Sequence, residues 1–332
     1  MRSMQRPRVV DIHCHFYPQE YLHELASGRG AVSAQWSQGG EAIIHYAGDY
    51  NVVVPAHWDP EVRLQEMDRE GVDLHVLSLT TPGVHIEEAQ RGRDLARLVN
   101  SCFLELCRKF PDRFAALAAI PWQDPNAAAD ELRWAAKEGL AGVMLFSNIN
   151  GNYPDHPDIA GVLQEAARLK MPVFLHPATP PDPAPYEVHR LVPLLGFPFD
   201  TTLAVVRLLF SGSWPANLRL IVAHLGGTIP YLAERLDRGW RAYGELYPKS
   251  RTMPSSLLAQ LYYDTVNFAP EALRLALDFC GSQRLLFGSD YPHQIGSMAG
   301  ALRAVHQLAL LPTQRRQVLG ENALHLLRMS LH

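Results

Sequence analysis

Short apolar runs recur along this chain with helical patterns between them, and several end on, or just before, a histidine or an aspartate. The runs are Val9–His13, Val72–Leu79, Phe114–Ile120, Ala141–Phe146, Pro172–His176, Leu218–Ala223, Leu261–Asp264 and Arg284–Ser289. Each is too short for a core helix and apolar enough to be a strand covered on both faces, as in a parallel sheet. Helical periodicity fills the gaps at 60–70, 87–109, 127–138, 159–169, 201–210, 229–243 and 270–279. Eight such units favour a closed barrel over an open doubly wound sheet. The predicted fold is therefore α/β, a distorted TIM (β/α)8 barrel with a small insertion after strand one.

Local signals support this alternation. Asp59 before Pro60 reads as an N-cap followed by a first-turn proline, and Gly71 ends that helix before the second strand. The whole chain, 1–332, reads as one barrel domain. Residues 16–59 form a cap-like insertion rich in aromatics, for which a β-hairpin is one option, and 298–332 supply C-terminal covering helices broken at Pro312. The proline-rich connection 177–198 and the connection 239–254 are expected at the mouth of the barrel.

His13 and His15 sit two residues apart at the end of the first run, so a strand turns both imidazoles to one side. His176 ends the fifth run, His224 follows the sixth and Asp290 follows the eighth. In a closed α/β barrel the carboxyl ends of different strands converge, which brings these distant residues together. His13, His15, His176 and Asp290 are the expected metal ligands. His224 is expected beside bound water or substrate, with a place among the ligands as the alternative. Three imidazoles and a carboxylate suit zinc and leave room for another ligand; manganese or another divalent ion remains open. His224 and Asp290 are the candidate catalytic groups, because a neutral histidine and a carboxylate can both manage a proton beside such an ion.

A formal charge of −4 gives no electrostatic case for nucleic acid or an anionic membrane surface. Arg2, Arg6 and Arg8 precede no signal-like apolar core, and no segment reads as a membrane span, so a cytoplasmic enzyme is expected. Cys14, Cys102, Cys107 and Cys280 lack CxxC spacing and read as reduced thiols. No GxGxxG or phosphate-loop pattern points to a dinucleotide or nucleotide.

The ordered motifs Asp11-Ile12-His13-Cys14-His15, Trp58-Asp59-Pro60-Glu61, Phe174-Leu175-His176-Pro177, Ala223-His224-Leu225-Gly226-Gly227 and Leu286-Phe287-Gly288-Ser289-Asp290-Tyr291-Pro292 span the chain. In that combination it resembles the metal-dependent amidohydrolases, in the branch containing aminocarboxymuconate-semialdehyde decarboxylase and related aromatic-acid decarboxylases. The resemblance implies zinc bound by the opening histidines, His176 and Asp290, proton transfer assisted by His224, and loss of carbon dioxide from a small unsaturated or aromatic acid. It also implies a homodimer, with Arg235 reaching substrate in its own or a neighbouring subunit. Where that decarboxylase carries a substrate-binding arginine before its Trp-Asp-Pro-Glu turn, this chain has Asn51-Val52-Val53-Val54. Asparagine cannot replace a guanidinium's charge, which points away from that particular substrate.

Other readings stand beside these. Arg235, flanked by Glu234 and Asp237, also fits a surface ion pair. Phe16, Tyr17 and Trp58 are candidates for stacking on substrate, and equally for core packing. His293 is a candidate for the pocket mouth or for support of the ligands. Metal-dependent hydrolysis of an amide, lactone or ring-cleavage product is the alternative chemistry, and a noncatalytic metal-binding barrel the alternative class.

Overall fold

The computed structural model describes residues 7–39, 41–46, 49–247 and 252–329. In chain order the elements begin with β1 Val10–His15, α1 Gln19–Ala26, β2 Ser33–Trp36, β3 Ala42–Tyr46, β4 Asp49–Val53 and α2 Pro60–Glu70. They continue with β5 Leu74–Ser78, α3 Ala89–Lys109, β6 Phe114–Ala118, α4 Pro125–Glu138, β7 Gly142–Phe146, α5 Pro157–Leu169, β8 Val173–His176 and α6 Phe197–Ser211. The remainder is β9 Leu220–Val222, α7 Ile229–Ala242, α8 Pro254–Leu258, β10 Tyr262–Asp264, α9 Pro270–Cys280, β11 Leu285–Leu286, α10 Met298–Gln307, α11 Pro312–Arg316 and α12 Asn322–Leu327.

Eight strands pair in the order β1-β5-β6-β7-β8-β9-β10-β11, all in parallel. The ring is drawn shut by backbone bonds beyond β11: Ile12 N–H to the Phe287 carbonyl at 2.9 Å, Asp290 N–H to that of His13 at 2.8 Å, and His15 N–H to that of Tyr291 at 2.8 Å. The result is the distorted TIM barrel that the repeating pattern predicts. The distortion lies where the last run, 284–289, keeps only a two-residue ladder with β10. Every residue of β1, β5, β6, β7 and β8 is buried, as expected of strands wrapped by helices on one face and packed around the barrel axis on the other.

The helix signals act as read. The Asp59 carboxylate accepts from the N–H groups of Glu61 (2.8 Å) and Val62 (3.3 Å), Pro60 opens α2, and Gly71 closes it with a left-handed φ of 74°. The first strand extends two residues beyond the predicted end, so both histidines lie within it.

The insertion is more than a hairpin. α1 precedes an antiparallel sheet β2-β3-β4, in which Ala42, Ile44 and Tyr46 face inward and Ile43 and His45 outward. The Tyr46 hydroxyl donates to Thr81 Oγ1 (2.9 Å) and the Tyr21 hydroxyl to the Gly83 carbonyl (2.6 Å), fastening this sheet over the loop after β5.

The connection after β8 also departs from expectation. Residues Val188–Ser211 are helical enough, long enough and apolar enough to pass for a membrane span by length and composition, with half of the window buried inside the fold. The stretch is broken: His189 and Arg190 take left-handed φ values of 56° and 58°, and a π-helical turn covers Val192–Gly196 before α6. Asp200 on α6 is buried and accepts from the Tyr153 hydroxyl (2.7 Å), Asn148 Nδ2 (2.9 Å) and the Ser147 hydroxyl, which ties the helix to the barrel.

Arg63 of α2 is fully buried and holds the end of β1 in place. Its guanidinium donates to the carbonyls of His15 and Ala56 (2.9 Å for the latter) and to His75 Nδ1 (3.1 Å), and lies over the Tyr291 ring at 4.9 Å. Replacing it leaves buried carbonyls unpartnered. Arg63→Met should cost about 1–3 kcal/mol per orphaned acceptor in urea-unfolding measurements; a midpoint and slope matching the parent would show that this anchor is dispensable.

Candidate metal centre

Alternation along β1 places His13 and His15 on one side of the strand, and both rings are wholly buried. His176 arrives at the end of β8, His224 just after β9 and Asp290 after β11. His13 Nε2 and His15 Nε2 stand 3.1 Å apart, and Asp290 Oδ1 lies 3.3 and 3.2 Å from them. One nitrogen or oxygen from each of His13, His176, His224 and Asp290 falls within 4.8 Å of the others. His224 Nε2 is 3.8 Å from Asp290 Oδ2.

The far side of each ring explains why these atoms suit a cation. His176 Nδ1 donates to the Pro177 carbonyl at 2.8 Å. His15 Nδ1 meets Ser78 Oγ at 3.0 Å, and that hydroxyl donates onward to the Cys14 carbonyl at 2.9 Å, so the Nδ1 carries the proton. His13 Nδ1 lies 2.5 Å from Asp264 Oδ2. With a proton held on Nδ1, the rings of His13, His15 and His176 turn Nε2 toward the cluster, and among the described residues the buried His176 Nε2 has no hydrogen-bond partner. Once their Nε2 protons are given up these atoms are converging acceptors, and a divalent ion among them satisfies all of them at once. The donor set therefore fits a metal.

The charges point the same way. Burial alone would strip a proton from His13, but the charge and hydrogen bond of Asp264, joined by Asp290, outweigh it and raise its pKa to about 10. Burial drives His15 and His176 well below the ordinary histidine value. Burial would raise Asp290, yet hydrogen bonds from His13, His15 and His224 hold its carboxyl well below the usual range. The ionised Asp290 beside the neutral His15 and His176 suits a cation, and a metal ion bound there would displace the proton that Asp264 and Asp290 otherwise hold on His13.

Backbone strain concentrates here. His224, Leu225 and Asp290 have φ of 52°, 56° and 58°, left-handed values that side chains other than glycine rarely adopt. The Asp264 carboxylate holds the first two by accepting from the N–H groups of His224 (2.9 Å) and Leu225 (2.8 Å). Gly288 is needed for a different reason: a Cβ there would come within 2.8 Å of His13 Cβ.

Beside the cluster lies a chamber of about 250 Å³, bordered by His176, His224, Asp290 and His293 and also by Asn51, Thr81, Arg190 and Phe197. Of the sequence candidates, His293 borders it, its ring centroid 4.8 Å from that of His15. Phe16, Tyr17, Trp58 and Arg235 are not among the chamber's lining residues. Phe16 is buried beneath Arg63, 5.3 Å from the guanidinium. Tyr17 spends its hydroxyl on the Thr81 carbonyl at 2.5 Å, and Trp58 meets Trp36 edge-on at 6.1 Å. These three follow the packing alternative. Arg235 is exposed on α7, and its predicted surface partners are engaged elsewhere: Glu234 with Arg238 at 3.0 Å, and Asp237 with the Ser255 N–H at 2.9 Å.

Sequence reasoning missed Asp264, Ser78 and Arg190. Asp264 ends a predicted strand run as His176 does, and that position was the available signal. Arg190 lies in an irregular connection where no periodicity marks it.

Comparisons with known proteins agree with this geometry. A family model described as Amidohydrolase matches residues 10–329. The chain is 29% identical over 331 residues to 2-amino-3-carboxymuconate-6-semialdehyde decarboxylase of Dictyostelium discoideum, covering 97% of this chain and 92% of that protein. It is 35% identical over 254 residues to gamma-resorcylate decarboxylase of Rhodococcus jostii, covering 70% and 77%. The crystal structure of 5-carboxyvanillate decarboxylase from Sphingomonas paucimobilis superposes with a TM-score of 0.86 at 26% identity, covering 98% of this chain and 100% of that one.

Asp264 provides a test of the ligand geometry. Asp264→Asn removes the charge that fixes the His13 tautomer while keeping the shape, and divalent-metal affinity should fall about 10- to 100-fold in competition titrations against a chelator. Undiminished affinity would mean that His13 does not depend on this carboxylate for its orientation.

Proposed function

The chain belongs to the amidohydrolase family, and from that premise we propose that it is a metal-dependent carboxy-lyase acting on a small aromatic carboxylic acid without an oxidant. The observation that carries this reading is the convergence of the His13, His15 and His176 rings and the Asp290 carboxylate beside a small chamber, with His224 next to Asp290. The chamber volume falls below the ~300 Å³ at which drug-sized pockets begin, which suits a single ring.

We assign the ion to His13, His15, His176 and Asp290. Zinc matches this borderline nitrogen and oxygen set, with manganese as the alternative set by availability. When bound, such an ion supplies positive charge that holds the acid's oxygens and stabilises charge developing on them.

The protein's own groups account for the proton. His224 Nε2 and Asp290 Oδ2 lie 3.8 Å apart on the border of the chamber, where a proton carried by His224, relayed by way of Asp290 or directly, can reach the ring carbon that bears the carboxylate. The carbon–carbon bond then breaks, its electron pair returns to the ring, and carbon dioxide leaves; a proton has replaced the carboxyl group. Positioned proton transfer of this kind is worth about 10²–10⁴ in rate. Arg235, exposed on α7, fits a homodimer in which it reaches a neighbouring subunit.

Assayed on a panel of hydroxylated benzoic acids, the metal-loaded protein should release one carbon dioxide per product and, in heavy water, place deuterium on the vacated ring carbon. Hydrolytic fragments without carbon dioxide would sink the reading. Chelation should abolish turnover and added zinc or manganese restore it. His224→Gln should lower kcat by about 10²-fold or more while metal content stays constant.

A further inference from the structure

The border of the chamber carries a fixed cation as well as the candidate metal ligands. Among its described bordering residues Arg190 is the only lysine or arginine. Asn51 is neutral, and its amide nitrogen is committed to the Tyr17 hydroxyl (2.9 Å) and the Thr81 carbonyl (2.7 Å). Arg190 is held firmly. Its guanidinium lies 3.9 Å from the centroid of the Tyr50 ring, and Nη1 donates to Asp49 Oδ1 at 3.1 Å and to the Tyr50 carbonyl at 3.3 Å.

Both bonds use the same end of the fork. No hydrogen bond joins Nε or Nη2 to a described residue, so one full edge of the guanidinium stays open while its plane is fixed by stacking. Such an edge carries two parallel N–H donors spaced for the two oxygens of a carboxylate. The backbone beneath is held in a costly shape, with His189 and Arg190 consecutively left-handed and neither of them glycine or asparagine. Strain maintained at the rim of a chamber, together with a preoriented and half-used cation, is the pattern of a recognition element.

We propose that Arg190 is a specificity-determining residue, taking on its Nε–Nη2 edge a second carboxylate of the substrate, remote from the one that is lost. The assignment rests on the carboxy-lyase reading for the identity of the first carboxylate. It narrows the substrate class to aromatic acids with two acidic groups on one ring. Asp49 and Tyr50 are positioning residues, which hold the guanidinium without occupying the edge that the ligand needs.

The test uses metal-loaded protein and titration calorimetry with benzene-1,3-dicarboxylate and benzoate. The parent should bind the diacid at least tenfold more tightly than the monoacid. In Arg190→Gln that ratio should collapse toward one, and in Arg190→Lys, which keeps charge but loses the paired edge, it should fall to an intermediate value. Arg207→Gln, which removes an exposed arginine paired with Asp155 at the surface, controls for loss of positive charge and should keep the parental ratio. Equal binding of the two acids by the parent, or a preference that survives both Arg190 substitutions, overturns the proposal. In turnover, Arg190→Gln should raise KM for a hydroxylated diacid at least tenfold with kcat nearly constant, the mark of lost uniform binding. A diacid preference that depends on Arg190, found without turnover of any acid, supports this assignment while removing the carboxy-lyase reading.

Discussion

One carboxylate organises the centre of this molecule. Asp264, at the end of β10, meets His13 Nδ1 at 2.5 Å and accepts from the backbone N–H groups of His224, Leu225 and Val266. It therefore fixes the ring of a ligand on β1 and the strained turn after β9 from a third strand between β9 and β11. A buried carboxylate is costly unless its oxygens are satisfied, and here both are. Among the rings that face the candidate metal position, Asp264 is what keeps His13 turned inward, as Ser78 does for His15 and the Pro177 carbonyl for His176.

Much of this architecture is legible in the sequence because parallel barrel strands leave a repeating trace. Their apolar runs are short, their helices have caps such as Asp59 and stops such as Gly71, and their carboxyl ends converge whatever lies between them. Hence His13, His15, His176, His224 and Asp290 could be grouped from positions up to 277 residues apart. What the sequence hides is contact that has no period. Trp58 and Tyr17 look like pocket aromatics because they flank the histidine pair and the turn, yet side-chain direction sends both into packing. Asp264 hides in plain view, since an aspartate that ends a strand is equally a ligand, a cap or a partner for another ligand. Arg190 depends on two left-handed residues in an irregular connection, and no local pattern announces them.

The insertion after β1 changes role once its contacts are known. Its sheet presents Tyr46 and Asn51 to Thr81, while Tyr17 closes the same small network from the chain just beyond β1. These neutral groups satisfy one another and leave the wall of the chamber rigid. The insertion thereby forms part of the wall, and Asp49 and Tyr50 at its edge hold the arginine contributed by the connection after β8.

That joint between two segments has an evolutionary consequence. The floor of the cavity is locked into the barrel, where any exchange of a histidine or of Asp264 disturbs several strands at once. The rim is assembled from two surface excursions joined, among the described residues, by Arg190 through its ion pair with Asp49, its hydrogen bond to the Tyr50 carbonyl and its stacking on the Tyr50 ring. Drift in either excursion can redraw which molecules are admitted while the reactive machinery is inherited unaltered, so a lineage built on this plan can acquire new diets by editing its lip.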